Sequence, residues 1–86
     1  MAGVQVPTVA GIVLAATGAA HFVVPDAFKA ITEPAFPEDT KTWTYRNGAS
    51  ELVIGTAIAV PATRKIGLVA LAGYVGFLGY RAVLAR

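Results

Sequence analysis

The chain has 86 residues, of which 56% are hydrophobic and only 14% charged, with no cysteine and a mean hydropathy of +0.64. A water-soluble chain this short buries only about two-thirds of its surface, so this composition would leave large apolar patches in water; lipid is the consistent solvent. The same figures exclude a disulfide-stapled or thiolate-metal protein and intrinsic disorder, and a net charge of +2 is no sign of nucleic-acid binding.

From Val4 to Val24 no Asp, Glu, Lys or Arg interrupts 21 residues, which at helical rise span about 30 Å, the thickness of a hydrocarbon core. This predicts a first transmembrane helix over 4–24. Pro7 suits its first turn, and Pro25 disfavours helical geometry at Val24. A cleaved signal peptide is the competing reading, because Gly18-Ala19-Ala20 has the small residues of a cleavage site. It would need a basic n-region, and no Lys or Arg precedes Lys29.

Residues 26–41 form the one substantial extramembrane segment, holding Asp26, Lys29, Glu33, Glu38, Asp39 and Lys41 with Pro34 and Pro37. Phe28 and Ile31, three apart, are placed to share one face of a short helical turn at the lipid headgroups. Pro37-Glu38-Asp39 reads as a helix start, with proline in the first turn and two carboxylates at the positive end of the dipole. The second span then covers about 42–62, with Trp43 and Tyr45 at headgroup level. Pro61 and Thr63-Arg64-Lys65 end it, and a third span over 66–85 follows so closely that the two form an antiparallel hairpin. The expected fold is therefore all-α: a single membrane domain, residues 1–86, of three transmembrane helices.

Small residues recur at three- and four-residue intervals: Gly11, Ala15, Gly18 and Ala19; Gly48, Gly55 and Ala59; Ala72, Gly73, Gly76 and Gly79. Such spacing lets helix backbones approach closely where lipid removes the hydrophobic drive between helices. Three short helices cannot bury all these faces on one another, so some are expected to meet another subunit.

This topology collects His21, Asp26, Arg46, Asn47, Ser50, Glu51, Tyr80 and Arg81 at one bilayer surface. Glu51 is the most informative of them, because an ionised carboxylate within a span requires a partner, hydration or a proton. Counted from the turn, Arg81 lies roughly 6 Å deeper along its helix than Glu51 does along its own, within reach of an arginine side chain. Asn47, one turn before Glu51, shares its face, and His21 arrives at similar depth from the first helix. The expected intramembrane polar cluster is thus His21, Asn47, Glu51 and Arg81. It reads either as a clasp joining helix ends or as a proton-handling or quinone-headgroup site. Trp43, Tyr45, Tyr80 and Phe36 read as interfacial anchors, and Tyr74 and Phe77 as residues facing lipid or a partner.

No catalytic set is visible: no cysteine, no Ser/His/Asp constellation, no phosphate loop, and one histidine cannot make a metal or haem site. No metal, cofactor or catalytic residue is assigned. By the distribution of Lys and Arg, two at one surface and five at the other, the N-terminus is expected outside.

The run Gly18-Ala-Ala-His21-Phe22-Val-Val-Pro25-Asp-Ala-Phe28, Pro34 and Pro37, then Asn47-Gly48-Ala-Ser-Glu51-Leu-Val-Ile-Gly55 and Pro61-Ala-Thr-Arg64, resembles the DoxX-like small integral membrane proteins over residues 15–66. That resemblance implies a helical bundle in a bacterial inner membrane, in some members a subunit of a quinone-linked oxidoreductase acting on sulfur compounds. It singles out His21 and Glu51, and it places the Pro61–Arg64 turn in the cytoplasm, against the charge distribution. The chain departs from the family's four-helix pattern in carrying no fourth span after Leu84. The expected function is a non-catalytic accessory subunit, packing its Gly/Ala faces against a larger membrane complex, which the resemblance implies is a respiratory or other redox assembly. The alternatives are a quinone-linked oxidoreductase subunit using His21 and Glu51, and a homo-oligomer passing a small solute along Glu51.

Overall fold

The structure is a computed structural model describing residues 5–86, and these are helical apart from short connections. Helix α1 (Val6–Val23) leads through a 3-10 turn (Pro25–Phe28) into the single-turn α2 (Lys29–Thr32); α3 (Thr40–Ala59) and a second 3-10 turn (Pro61–Thr63) precede α4 (Arg64–Leu84). Val4, where the expected first span begins, lies outside the described residues. Proline sets the breaks. Val24 (φ −131°, ψ 63°) and Val60 (φ −87°, ψ 119°) leave helical geometry immediately before Pro25 and Pro61, as the ring of a following proline requires.

The start of α3 differs from the sequence expectation. The helix begins at Thr40, after a left-handed Asp39 (φ 55°, ψ 39°), and its first turn carries no acid. The cause is Phe36, the most deeply buried of the large side chains at 1% exposure. Tucking it under the bundle end turns the chain through Pro37–Asp39 before a helix can begin, and the Thr40 hydroxyl fixes that turn by donating to the Phe36 carbonyl at 2.6 Å. Aspartate tolerates the left-handed conformation better than most residues.

Helix α3 is the middle of the bundle, antiparallel to α1 on one side and to α4 on the other. The α1–α3 seam is backbone against backbone. A Cβ placed on Gly11 would lie 2.5 Å from the Ala59 nitrogen and 2.6 Å from the Gly55 carbonyl, and one on Gly18 would lie 2.5 Å from the Gly48 carbonyl. Real Cβ atoms do not approach so closely, so only glycine permits the crossing. Gly67 does the same for α4 against Ile58. Gly73, Gly76 and Gly79, further along α4, have open space where a side chain would be.

The burial pattern is inverted relative to a water-soluble bundle. Among the described residues the buried hydrophobic side chains are Phe36, Ile54 and Ile58, while Val6, Val13, Val23, Ile31, Val53, Ile66, Val69 and Leu84 are all more than half exposed. Two helical stretches, Val6–Val23 and Pro61–Leu84, are long and apolar enough to cross a membrane, with only 17% and 6% of each buried in the bundle. Helix α3 is too polar for that standard, with Lys41, Arg46, Asn47 and Glu51 among its residues. The molecule measures 44 × 25 × 17 Å, its long dimension equal to a bilayer with its headgroups, about 40–45 Å.

Candidate functional site: a three-helix polar cluster above an apolar cleft

One side chain from each long helix meets at a common level: His21 from α1, Glu51 from α3 and Tyr74 from α4. The absent side chain at Gly48 makes room for the imidazole, since a Cβ there would collide with the His21 side chain. His21 is 3% exposed, and Phe28 stacks on it with ring centres 3.7 Å apart. Phe28 therefore turns inward while Ile31 stays 71% exposed, so the two do not share the headgroup-facing role expected of them.

Chemistry at the imidazole follows from its partners. Nδ1 lies 2.8 Å from the Thr17 carbonyl oxygen, which can only accept, so Nδ1 carries the hydrogen. Nε2 then faces the Glu51 Oε2 at 3.8 Å. A nitrogen lone pair and a carboxylate oxygen aimed at one another repel unless a proton lies between them. The two groups thus form an ion pair only when the ring is protonated. The same Oε2 accepts from the Tyr74 hydroxyl at 2.8 Å, and that hydroxyl also approaches the Asn47 carbonyl oxygen at 3.4 Å.

Beside the cluster runs a cleft of about 430 Å³. His21, Asn47, Glu51 and Tyr74 make its polar end, and Ile31, Ala35, Val75, Leu78 and Ala82 its apolar walls. It has the make-up of a pocket for a largely apolar molecule with one polar head.

The cluster departs from the sequence expectation at two positions. Arg81 is not beside Glu51; its guanidinium lies over Phe36 at 4.7 Å and over Trp43 at 5.0 Å. In the α3–α4 hairpin, residues equidistant from the turn face each other, so Ile58 meets Gly67 and Glu51 meets Tyr74. Arg81 lies seven residues beyond that level, about 10 Å further along the helix, and finds the aromatic residues there instead. Tyr74, expected to face lipid or a partner, is the hydroxyl that completes the cluster, and Phe77 packs near Trp43 with ring centres 5.8 Å apart. A carboxylate seeking a donor at its own level was the signal for Tyr74, and a count of equal steps from the turn would have found it.

Of the expected anchors, Tyr80 is 62% exposed at the end of α4. Tyr45 stacks on Phe22 at 5.5 Å, and Trp43 and Phe36 stack on each other at 4.5 Å. Phe36 is therefore a core residue rather than an anchor.

At the opposite end of the bundle Arg64 forms a second clasp. Its guanidinium donates to Gln5 Oε1 at 2.7 Å, Thr8 Oγ1 at 2.8 Å, and the carbonyls of Ile58 at 2.8 Å and Ala59 at 3.3 Å. It thereby ties α4 to the beginning of α1 and the end of α3. Sequence reasoning read Arg64 only as part of a polar turn.

A family model, described as a domain of unknown function (DUF8561), matches residues 10–83. The chain belongs to this family. The DUF8561 match takes in His21, Asn47, Glu51, Arg64, Tyr74 and Arg81, and leaves out Gln5 and Thr8. No curated protein and no solved structure matches the chain.

Proposed function

We propose that this DUF8561 chain is a three-span membrane protein, not catalytic by itself, that serves as an accessory subunit of a larger assembly and joins it through the outer face of α4. The membrane reading is supported by the inverted burial and by the 44 Å long dimension. Helix α3 fits it as the third span because Lys41 and Arg46 lie in its first two turns, near the surface, while the Glu51 carboxyl turns away from lipid toward His21 and Tyr74.

One observation carries the accessory reading. Every described glycine outside this face is pressed against a neighbouring helix, whereas Gly73, Gly76 and Gly79, three residues apart on α4, meet nothing. Three small residues on one helix face let a second helix approach closely. The resemblance to DoxX-like proteins adds the setting, a respiratory or other redox complex of a bacterial inner membrane. Purification in mild detergent is expected to recover a stoichiometric partner that Gly76→Leu releases while the chain keeps its helicity. Recovery of a lone, fully functional monomer, or retention of the partner by Gly76→Leu, would refute it.

A second reading rests on the cleft. A mainly apolar cleft that also presents an imidazole, a carboxyl and a hydroxyl suits the carbonyl of a quinone ring, and makes the chain the quinone-reactive subunit of an oxidoreductase. Glu51→Gln keeps the shape and removes the carboxyl. On this reading it abolishes quinone reduction with assembly intact, and unchanged turnover counts against it.

A further inference from the structure

Where α3 begins and α4 ends, two guanidinium groups crowd one indole. The Arg81 and Arg46 guanidinium carbons each lie 5.0 Å from the Trp43 ring centre, so they are at most about 10 Å apart. Among the described residues neither has a carboxylate within ion-pair distance, and no hydrogen bond takes up the Arg81 side chain. The contrast is Arg64, whose fork is filled by four acceptors.

Stacking engages the faces of a guanidinium and leaves its five N–H groups, which lie in the plane, directed outward. Phe36 and Trp43 thus hold the Arg81 guanidinium against their rings without satisfying its donors. Two cations against one ring repel, and an anion bound beside Arg81 relieves that repulsion. Beside Arg81 lies a groove of about 350 Å³, walled by Ala35, Pro37, Leu84 and Ala85, with Glu38 as its one acid. Trp43 stands in the first turn of α3 and Arg81 in the last turn of α4, the level of the headgroups when both helices span.

We propose that Arg81, supported by Arg46, binds the phosphate of an anionic phospholipid, whose glycerol and upper acyl chain lie in the adjoining apolar groove. A planar fork held by two rings matches two phosphate oxygens at once. Basic pockets beside membrane helices hold acidic lipid heads in this manner. Paired hydrogen bonding is open to the phosphate of any phospholipid, so the preference for an acidic one comes from its uncompensated negative charge, and Glu38 weakens that preference at the groove. The proposal rests on the membrane reading but on neither functional reading above.

Trp43 is the chain's one tryptophan, so its fluorescence reports this site alone. The full chain is incorporated into phosphatidylcholine vesicles containing a minor fraction of either brominated phosphatidylglycerol or brominated phosphatidylcholine, and quenching is compared. The acidic lipid is expected to quench at about fivefold lower mole fraction, the effect of one arginine near a phosphate. Arg81→Gln is expected to erase the difference and Glu38→Gln to enlarge it. Equal quenching by both lipids, a preference that survives Arg81→Gln, or inorganic phosphate abolishing the preference at millimolar concentration would overturn the proposal. Should Arg81→Gln lose its helicity, Glu38→Gln decides alone, an unchanged preference being the refuting result. A chain that fails to float with phosphatidylcholine vesicles at all refutes the membrane reading, and the lipid site with it.

Discussion

Gly55 is the position at which the packing argument is most exposed to experiment. A methyl group there would lie 2.6 Å from the Gly11 carbonyl oxygen and 2.8 Å from the Ala15 Cα, against about 3.4 Å where ordinary contact begins. Both obstacles are backbone, so no rotamer change relieves them. The Ala15 nitrogen is nearer still, so helices α1 and α3 must separate by about 1 Å, and a gap of that size forfeits a quarter to a half of each dispersion contact along the seam. Overpacking of this kind costs about 1–3 kcal/mol, partly offset by the better helix propensity of alanine, up to about 1 kcal/mol. The net expectation for Gly55→Ala is a loss of about 1–2 kcal/mol.

Gly73→Ala is the control, because a Cβ there meets nothing within 4 Å and only the propensity gain remains. Thermal unfolding of both variants in one detergent, followed by circular dichroism, should show the Tm of Gly55→Ala lowered by roughly 4–16 °C, at about 4–8 °C per kcal/mol for a chain of this size. Gly73→Ala should unfold no earlier than the parent chain. A Gly55→Ala protein with the parental Tm would refute the reasoning, since it would mean the α1–α3 seam is loose enough to admit a side chain.

Two further substitutions test the clasps. Tyr74→Phe removes the hydroxyl that reaches Glu51 at 2.8 Å; with a charged acceptor left short of a donor, stability should fall by about 2 kcal/mol in the same assay. In a double-mutant cycle with Glu51→Gln the two effects should fall well short of adding, and strict additivity would show the pair uncoupled. Arg64→Gln forfeits the four-acceptor fork at the other end and should cost about 2–3 kcal/mol. Arg64→Lys should recover little of that, because an ammonium cannot span four acceptors on two chain segments; full recovery would mean charge alone holds the turn.

The long helices and their breaks were legible because their causes are local. An uncharged stretch and the prolines at 25 and 61 bound α1 and the α3–α4 hairpin to within a few residues, with no need of long-range contacts. The start of α3 was not legible, because it depends on where Phe36 is buried, and burial of one side chain under a bundle end is decided by the other helices. The candidate cluster divides in the same way. His21 and Glu51 stand out in the sequence as polar groups in apolar surroundings, and the structure places them 3.8 Å apart. Tyr74 does not stand out, since an aromatic residue in mid-helix is equally at home against lipid.

Composition and spacing by themselves determined that the chain is helical, where its helices break, that its long helices are rich in apolar residues, and that Glu51 stands out among them. Tertiary structure decided which small-residue faces were used, which donor answers Glu51, and what Arg81 touches. The physical reason is register. A hairpin pairs residues equally distant from its turn, and a step of seven residues moves a side chain about 10 Å. Whether an arginine meets a carboxylate or a pair of aromatic rings is therefore set by the alignment of two helices, which neither helix encodes alone.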